Sequence, residues 1–459
     1  MPDVTDTFIS NVRRDPTRGS DWVLIAALDC ERLSAPPWSV SLAGADTIEL
    51  GRGGARAASV ADGRMRIDVP DRRASQVHVR LVRDGEAWVV EDAGSKNGVR
   101  RNGEPIEPGG RARLGNGDVL EVGGTFLVLR RAASDAVSHE GPTGQADGLA
   151  TMSPELAREL GVLGKIARSR VPVLVRGDSG TGKEVVARAV HALSGRRGPL
   201  VPVNCGAIPA TLLEGELFGS TRGAFSGAED RTGLVRSAEH GTLVLDEVVE
   251  LPAASQAALL RFLQDGEVTP LGSDTRITID VRVVAATNKP IEQLIARGQF
   301  RRDLYARLCG HVVYLPTLHT RLEDLGLLVA SLLARLEPSG PTRTLSRAAA
   351  RMLFRHGWPL NVRELEQALR SALATATGAE IAAEDVRLLA DDELAAATLE
   401  APPPVTSHEG GVTRERMIEL LTQHAGNLSA VARDLATSRT QVARLLARHS
   451  LSPDEFRRR

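Results

Sequence analysis

A glycine-rich turn, GDSGTGKE from Gly177 to Glu184, joins the apolar β-branched run VPVLV to the helical pattern VVARAVH. Gly177, Gly180 and Gly182 let the backbone wrap closely around a ligand without Cβ clashes. The N–H groups of Asp178, Ser179 and Thr181, with the helix N-terminus behind them, suit anionic phosphates, and Lys183 can reach the outer ones. About sixty residues on, GTLVLDEV closes an apolar strand with Asp246 and Glu247. A carboxylate pair at the tip of a buried strand suits a magnesium ligand followed by a base that orients water. The chemistry implied is hydrolysis of a nucleoside triphosphate.

The basic residues sharpen this. Of 57 only Lys96, Lys165, Lys183 and Lys289 are lysine. A compact ammonium at Lys183 is therefore a requirement of the site, since a forked guanidinium would crowd it. The chain has 459 residues, enough for three domains with their own cores, and a formal net charge of −1. No global field draws nucleic acid, so any DNA contact must come from a local patch. Cys30, Cys205 and Cys309 lie far apart without metal-ligand spacing, which suits a reducing cytosol. No apolar run approaches a membrane span and no secretory signal opens the chain. The expectation is a cytoplasmic protein without membrane contact.

The chain falls into blocks. Residues 1–20 are polar and aperiodic, a loose tail. Residues 21–131 carry short alternating runs (WSVSLA, TIEL, MRIDV, VHVRLV, AWVVED, VLEV, TFLVL) split by Asp84-Gly85, Asn97-Gly98 and Asn102-Gly103, which predicts an all-β sandwich. Residues 132–149 read as a linker. Alternating strands and helices over 150–316 predict a parallel sheet covered by helices, and 317–395 a helical lid. A second linker, 396–411, contains Pro402-Pro403-Pro404, and 412–459 are all-α. The linkers are expected to keep three independently acting units apart.

The segments GDSGTGKE, VNCGAIP, EGELFGSTRGAFSGA, GTLVLDEV, VRVVAATN, QFRRDLYARL and WPLNVREL follow one another in a fixed order. This series resembles the bacterial enhancer-binding proteins that activate sigma-54 RNA polymerase, a branch of the AAA+ ATPases. The resemblance implies ATP and Mg2+ as cofactors and a homo-oligomer, from dimer to hexameric ring. It implies that Asn204 holds Glu247 back until the ring engages, and that Asn288 senses the γ-phosphate. Arg301 and Arg307 match the arginine fingers that reach a neighbouring subunit's nucleotide, and Arg363 the lid arginine. The loop Gly223, Ala224, Phe225, Ser226, Gly227, Ala228 matches the one that touches sigma-54, with serine for its usual threonine. Glu184 stands where many phosphate loops place Ser or Thr, Leu360 where the family usually has glycine, and PTLHTR (316–321) where it has PPLRER.

Within the sandwich, LGRG (50–53), SQVH (75–78) and SKNGVRRNG (95–103) resemble the forkhead-associated (FHA) domain. By that resemblance Arg52, Ser75 and Asn97 carry a phosphothreonine peptide, with Lys96 a further contact and His78 and Asn102 bracing the loops. Gln76 replaces a common arginine. A sandwich serving only as spacer or dimer contact stays open as an alternative.

At the C-terminus, Thr413, Asn427 and Ser438 can cap successive helices. Val442, Leu445 and Leu446 mark an apolar face, leaving Arg439, Thr440, Gln441, Arg444 and Arg448 outward. The pattern resembles a Fis-type helix-turn-helix, whose polar helix meets phosphates and base edges in a major groove.

The fold class is thus multidomain: an all-β FHA sandwich, an α/β AAA+ P-loop ATPase with helical lid, and an all-α helix-turn-helix. The expected partners are sigma-54 RNA polymerase holoenzyme, enhancer DNA, and a phosphothreonine-containing protein or the chain itself. Two alternatives remain at this level: an adaptor or DNA-bound repressor with a scaffold ATPase core, and an ATPase directed at another partner. Lys183→Ala is expected to abolish nucleotide binding, whereas Glu247→Gln binds ATP and barely turns it over. Filter binding and phosphate release measure both, and normal turnover by the Glu247 variant would refute its role as base.

Overall fold

A computed structural model describes residues 20–133, 149–224, 229–389, 414–424, 431, 446 and 451. The tail at 1–19, most of each expected linker, and Arg439, Thr440, Gln441, Arg444 and Arg448 lie outside the described residues, as do Phe225, Ser226, Gly227 and Ala228. The chain divides into two compact units, residues 1–391 and 392–459.

The first unit begins with twelve strands: β1 (Ser20–Asp29), β2 (Trp38–Ser41), β3 (Thr47–Arg52), β4 (Ala57–Ala61), β5 (Arg64–Val69), β6 (Val79–Asp84), β7 (Ala87–Asp92), β8 (Val99–Arg101), β9 (Glu104–Ile106), β10 (Arg111–Leu114), β11 (Val119–Val122) and β12 (Thr125–Ala133). They form two sheets, ordered β2-β1-β12-β11-β8-β9 and β10-β7-β6-β3-β5-β4. In β7 buried and half-exposed residues alternate, as a sheet with one face on the core requires. Trp88, Leu50, Ile67, Leu120, Leu127 and Leu129 fill the space between the sheets. This is the sandwich that the alternating runs predict.

The ATPase follows with α1 (Pro154–Ala167), β13 (Val173–Arg176), α2 (Lys183–Ser194), β14 (Leu200–Asn204), α3 (Ala210–Phe218), β15 (Gly219–Ser220), β16 (Arg231–Thr232), α4 (Leu234–Ser237), β17 (Thr242–Asp246), α5 (Ala253–Asp265), β18 (Glu267–Val268), β19 (Ile277–Thr278), β20 (Arg282–Thr287), α6 (Ile291–Ala296), α7 (Arg302–Leu308) and β21 (His311–Tyr314). The sheet runs β14-β17-β20-β13-β21, every neighbouring pair parallel. Helices cover both faces, so β20 (RVVAAT) is buried throughout and shows no alternation. Arg282, 1% exposed, donates to the carbonyls of Ile166, Ala167, Ser169 and Val171 and so satisfies the end of α1.

The lid comprises a 3₁₀ turn (Leu318–Asp324), α8 (Leu325–Leu336), β22 (Thr344–Leu345), α9 (Arg347–Arg355), α10 (Asn361–Thr375) and β23 (Glu380–Ile381). Its core corrects the expectation of units kept apart. Ala27, Leu28, Cys30, Val119, Phe126 and Val128 of the sandwich share one apolar cluster with Leu318, Leu325, Val329, Leu345, Leu353 and Phe354 of the lid. The Phe126 and Phe354 rings stack with centroids 4.8 Å apart. The physical reason is that the sheet β1-β12-β11 is apolar on both faces, and its outer face needs a cover.

In the second unit a helix spans Arg414–Gln423, with Met417, Leu420 and Leu421 buried at helical spacing. Among the described residues no helix is long and apolar enough to cross a membrane.

Candidate functional site: the nucleotide cradle and the phosphopeptide loops

Three parallel neighbours deliver the chemical groups to one edge of the ATPase sheet. The phosphate loop follows β13, Asp246 ends β17 with Glu247 just after it, and Asn288 follows β20. Ligands gather at the carboxyl ends of strands in such sheets because the crossover connections leave a crevice there. The loop bends through Gly180 (φ +76°) and Gly182 (φ +106°), backbone that L side chains rarely adopt. A Cβ at Gly180 would also lie 2.2 Å from the Leu360 carbonyl oxygen, so this glycine serves packing against the lid as well as curvature. Lys183 is nearly buried, and its Nζ donates to the carbonyls of Gly177 (3.0 Å) and Asp178 (3.2 Å). The ammonium therefore sits inside the curve of the loop, where outer phosphates would lie.

Glu247 occupies left-handed backbone (φ +50°), unusual for a side-chain-bearing residue, and its Oε2 accepts from the Asn288 N–H at 3.4 Å. Strain of this kind survives where surrounding structure enforces it, and it clusters at functional sites. Asp246 pairs in register with Asn204 across β17 and β14, so those two side chains leave adjacent strand ends. The Asn204 Oδ1 accepts from the Gly206 and Ala207 N–H groups, capping its own turn rather than holding Glu247. Burial, with Asp246 and Glu247 nearby, pushes the Cys205 thiol up to about 12, so it stays protonated beside the carboxylates. Glu184 bonds Arg188 one turn along α2, on the outer face of the helix.

Arg301 and Arg307 bracket α7, both exposed. Arg301 forms a fork with Asp303 at 2.7 Å, which holds that carboxyl down to about 2. Arg363 donates from Nη1 to the Ser179 Oγ at 3.3 Å, placing the lid arginine on the phosphate loop. The turn before it needs no glycine at 360: Leu360 has φ −104°, and the left-handed residues are Trp358 (φ +53°) and Asn361 (φ +56°).

Two contributors escape a motif reading. Asn361, 1% exposed, donates from Nδ2 to the Ser179 carbonyl and accepts from the Leu318 N–H. Arg321 donates from Nη2 to the Thr181 carbonyl at 2.8 Å. With Val362 N–H donating to the Gly180 carbonyl, the lid engages three consecutive carbonyls of the loop. The only sequence signal was position: Asn361 precedes VREL, and Arg321 closes the divergent PTLHTR.

In the sandwich, Arg52, Ser75, Lys96 and Asn97 do converge. The Arg52 N–H donates to the Ser75 carbonyl, the Lys96 N–H donates to the Ser75 Oγ, and Asn97 Nδ2 donates to the Arg73 carbonyl. A Cβ at Gly51 would lie 2.1 Å from the Gln76 carbonyl oxygen, so only glycine admits this approach. His78 is fully buried; burial lowers its pKa, its Nδ1 accepts from the Ser75 N–H, and its Nε2–H donates to the Gly98 carbonyl. Asn102 bridges to Asp118 and to the Val119 N–H. The Arg52 side chain is left exposed at the rim.

Residues 149–314 match the Sigma-54 interaction domain, residues 48–123 the FHA domain and residues 319–400 the AAA+ ATPase lid domain. The transcriptional regulatory protein GlrR of Escherichia coli (strain K12) is 38% identical over 341 residues, covering 72% of this chain and 75% of its own. The chain belongs to the sigma-54-dependent transcriptional activators. The Nif-specific regulatory protein of Rhodobacter capsulatus is 43% identical over 262 residues, 56% of this chain and 45% of that one. A structure of NtrX from Brucella abortus in complex with ADP aligns with 66% of this chain and 70% of its own, at 28% identity and a TM-score of 0.49. By its matched domains and its likeness to GlrR, this activator is an AAA+ ATPase that binds ATP and couples its hydrolysis to transcription, with an FHA domain in the same chain.

Asn361→Ala in the activator leaves the Ser179 carbonyl and the buried Leu318 N–H without their partner. The bond lost from the Ser179 carbonyl is worth about 1 kcal/mol, so ADP affinity is expected to fall about fivefold in a fluorescent-nucleotide titration. Unchanged affinity would show that the lid does not shape the loop.

Proposed function

We propose that this activator binds enhancer DNA through its C-terminal helices, assembles into a ring in the cytoplasm, and remodels sigma-54 RNA polymerase at the expense of ATP. Its input is a phosphothreonine peptide on the FHA loops. The observation that carries the reading is the convergence of the phosphate loop, the Asp246–Glu247 pair and Asn288 on one strand edge beneath Arg363.

Placement supports the hydrolytic roles. Loop N–H groups and Lys183 hold the phosphates, and Glu247 orients a water and takes its proton as the water oxygen bonds the γ-phosphorus. The bond to the bridging oxygen breaks, leaving ADP and inorganic phosphate. Asp246, a carboxylate at the strand end beside the phosphate loop, would hold a Mg2+ ion there. Mg2+ bound there would neutralise charge on the β- and γ-oxygens. Asn288, next to Glu247, reports the γ-phosphate. Arg301 and Arg307 act on a neighbouring subunit's nucleotide, for which Arg301 must leave Asp303.

The polymerase contact belongs to the loop bounded by β15 and β16, whose ladder pairs Gly219 with Thr232 and Ser220 with Arg231. Gly223 (φ +90°) and Ala224 begin its tip. Beyond them Phe225, Ser226, Gly227 and Ala228 complete the contact. Arg439, Thr440, Gln441, Arg444 and Arg448 meet the DNA.

Phe225→Ala is expected to keep ATPase activity nearly intact and to remove open-complex formation in transcription from a sigma-54 promoter. Transcription at the wild-type level would redirect the ATPase to another partner. Arg52→Ala should weaken phosphothreonine-peptide binding by ten- to a hundredfold, about the 1.5–3 kcal/mol of a charge-assisted bond. If the wild type binds no phosphorylated peptide better than its unphosphorylated twin in calorimetry, the FHA domain is a spacer.

A further inference from the structure

The FHA sandwich touches the lid through side chains that exposed loops do not need. Glu121, 2% exposed on β11, accepts from both Arg347 and Arg351 of α9 at 2.8 and 2.7 Å. Arg130 on β12 donates to Glu323 through Nε at 2.8 Å and to the Thr320 carbonyl through Nη2 at 2.6 Å. The Leu345 N–H of β22 donates to the Cys30 carbonyl. On α8, a Cβ at Gly326 would lie 1.9 Å from the Ala27 carbonyl oxygen, so the helix rests directly on β1. A buried carboxylate left without its arginine is costly, so these pairs hold the two bodies in one registration.

The 3₁₀ turn Leu318–Asp324 is where this interface meets the nucleotide cradle. Glu323 faces Arg130 of the sandwich, and burial pushes its carboxyl up against the pull of that arginine. Arg321, in the same turn, bonds the Thr181 carbonyl of the phosphate loop. Asp324 accepts from the Thr151 hydroxyl and the Met152 N–H. On the second limb, Phe126 stacks on Phe354 of α9, and α9 leads through Trp358 to Asn361, which bonds Ser179. Peptide planes whose carbonyls are held toward the lid present their N–H groups on the opposite side, toward phosphate. Sandwich position and phosphate-loop geometry are therefore joined by two short chains of contacts.

The phosphopeptide loops reach the same interface from above. Asp71, four residues before Ser75, accepts at Oδ2 from the Gly124 N–H and the Thr125 hydroxyl. The Gly124 carbonyl accepts from the Cys30 N–H, and Phe126 follows Thr125. Arg52 and Asn97 are exposed at the loop tips, Asn97 with its Nδ2 on the Arg73 carbonyl, while their supports are anchored.

We propose that the FHA sandwich is a fixed part of the lid and sets the nucleotide affinity of the ATPase through Arg130–Glu323 and Glu121–Arg351. Occupancy of its loops by a phosphothreonine peptide is read out at the phosphate loop; this limb rests on the phosphopeptide reading above. Such coupling is reciprocal, so peptide and ADP change one another's affinity by the same factor.

The test uses the full chain and calorimetric titration with ADP, for wild type, Arg130→Met, Glu121→Gln and a control on the other sheet, Arg83→Ala. Native circular dichroism is required of each. Both interface variants are expected to shift the Kd for ADP at least fivefold, and the control less than twofold. Wild-type affinity in the folded interface variants overturns the proposal; should Arg130→Met not fold, Glu121→Gln decides. A phosphothreonine peptide that binds wild type is expected to shift ADP affinity, the shift falling towards nothing in Arg130→Met. Peptide binding without any ADP shift overturns the peptide limb. If no peptide binds, the phosphopeptide reading fails, and the ADP comparison still decides the coupling.

Discussion

A phosphate loop works only if its N–H groups point inward, and this requires that its carbonyls be satisfied elsewhere. In this activator three of those carbonyls, at Ser179, Gly180 and Thr181, accept hydrogen bonds from Asn361, Val362 and Arg321 of the lid. A buried carbonyl without a donor is costly, so loop curvature and lid position stabilise each other. The left-handed backbone at Asn361 follows from this constraint, because its amide must reach the loop while its oxygen serves Leu318. The same demand explains why Arg321 is buried at an energetic cost that lowers its pKa.

The lid cannot close its own core. Its α8 and α9 faces carry Leu325, Val329, Leu353 and Phe354, and the outer face of the FHA sheet supplies Leu28, Val119, Phe126 and Val128 to cover them. Apolar area buried this way contributes about 25 cal/mol per Å², and the buried ion pairs around it fix registration more than they add stability. The consequence for function is mechanical. The FHA sandwich becomes one wall of the lid whose residues bond the phosphate loop.

The carboxyl edge of the ATPase sheet shows a division between positions set by strands and positions set by partners. Asp246, Glu247 and Asn288 are placed by the parallel register of β17 and β20, which the pairing of Leu245 with Ala285 fixes. Arg301 and Asn204 are instead engaged with groups close in sequence, Asp303 and the turn Gly206–Ala207. At Arg301 those local bonds are exposed, so the pair with Asp303 adds little stability.

The sequence by itself determined the parts whose physics is local. The glycines of GDSGTGKE dictate the phosphate loop, the acidic end of TLVLD dictates where carboxylates stand, and Gly51 with Ser75 and Asn97 dictates the FHA loops. Each depends on neighbours within a turn or on strand periodicity, which residue order records directly. The tertiary structure alone decided what covers TFLVL. That run is apolar on both faces, a sign of a strand buried twice, but periodicity cannot name the covering element. It also decided that PTLHTR joins the sandwich to the phosphate loop, because Arg321 and Thr181 lie 140 residues apart and meet only when the lid folds back. Contacts over such separations depend on complementary surfaces, and a single chain's residue order carries no mark of which surfaces will meet.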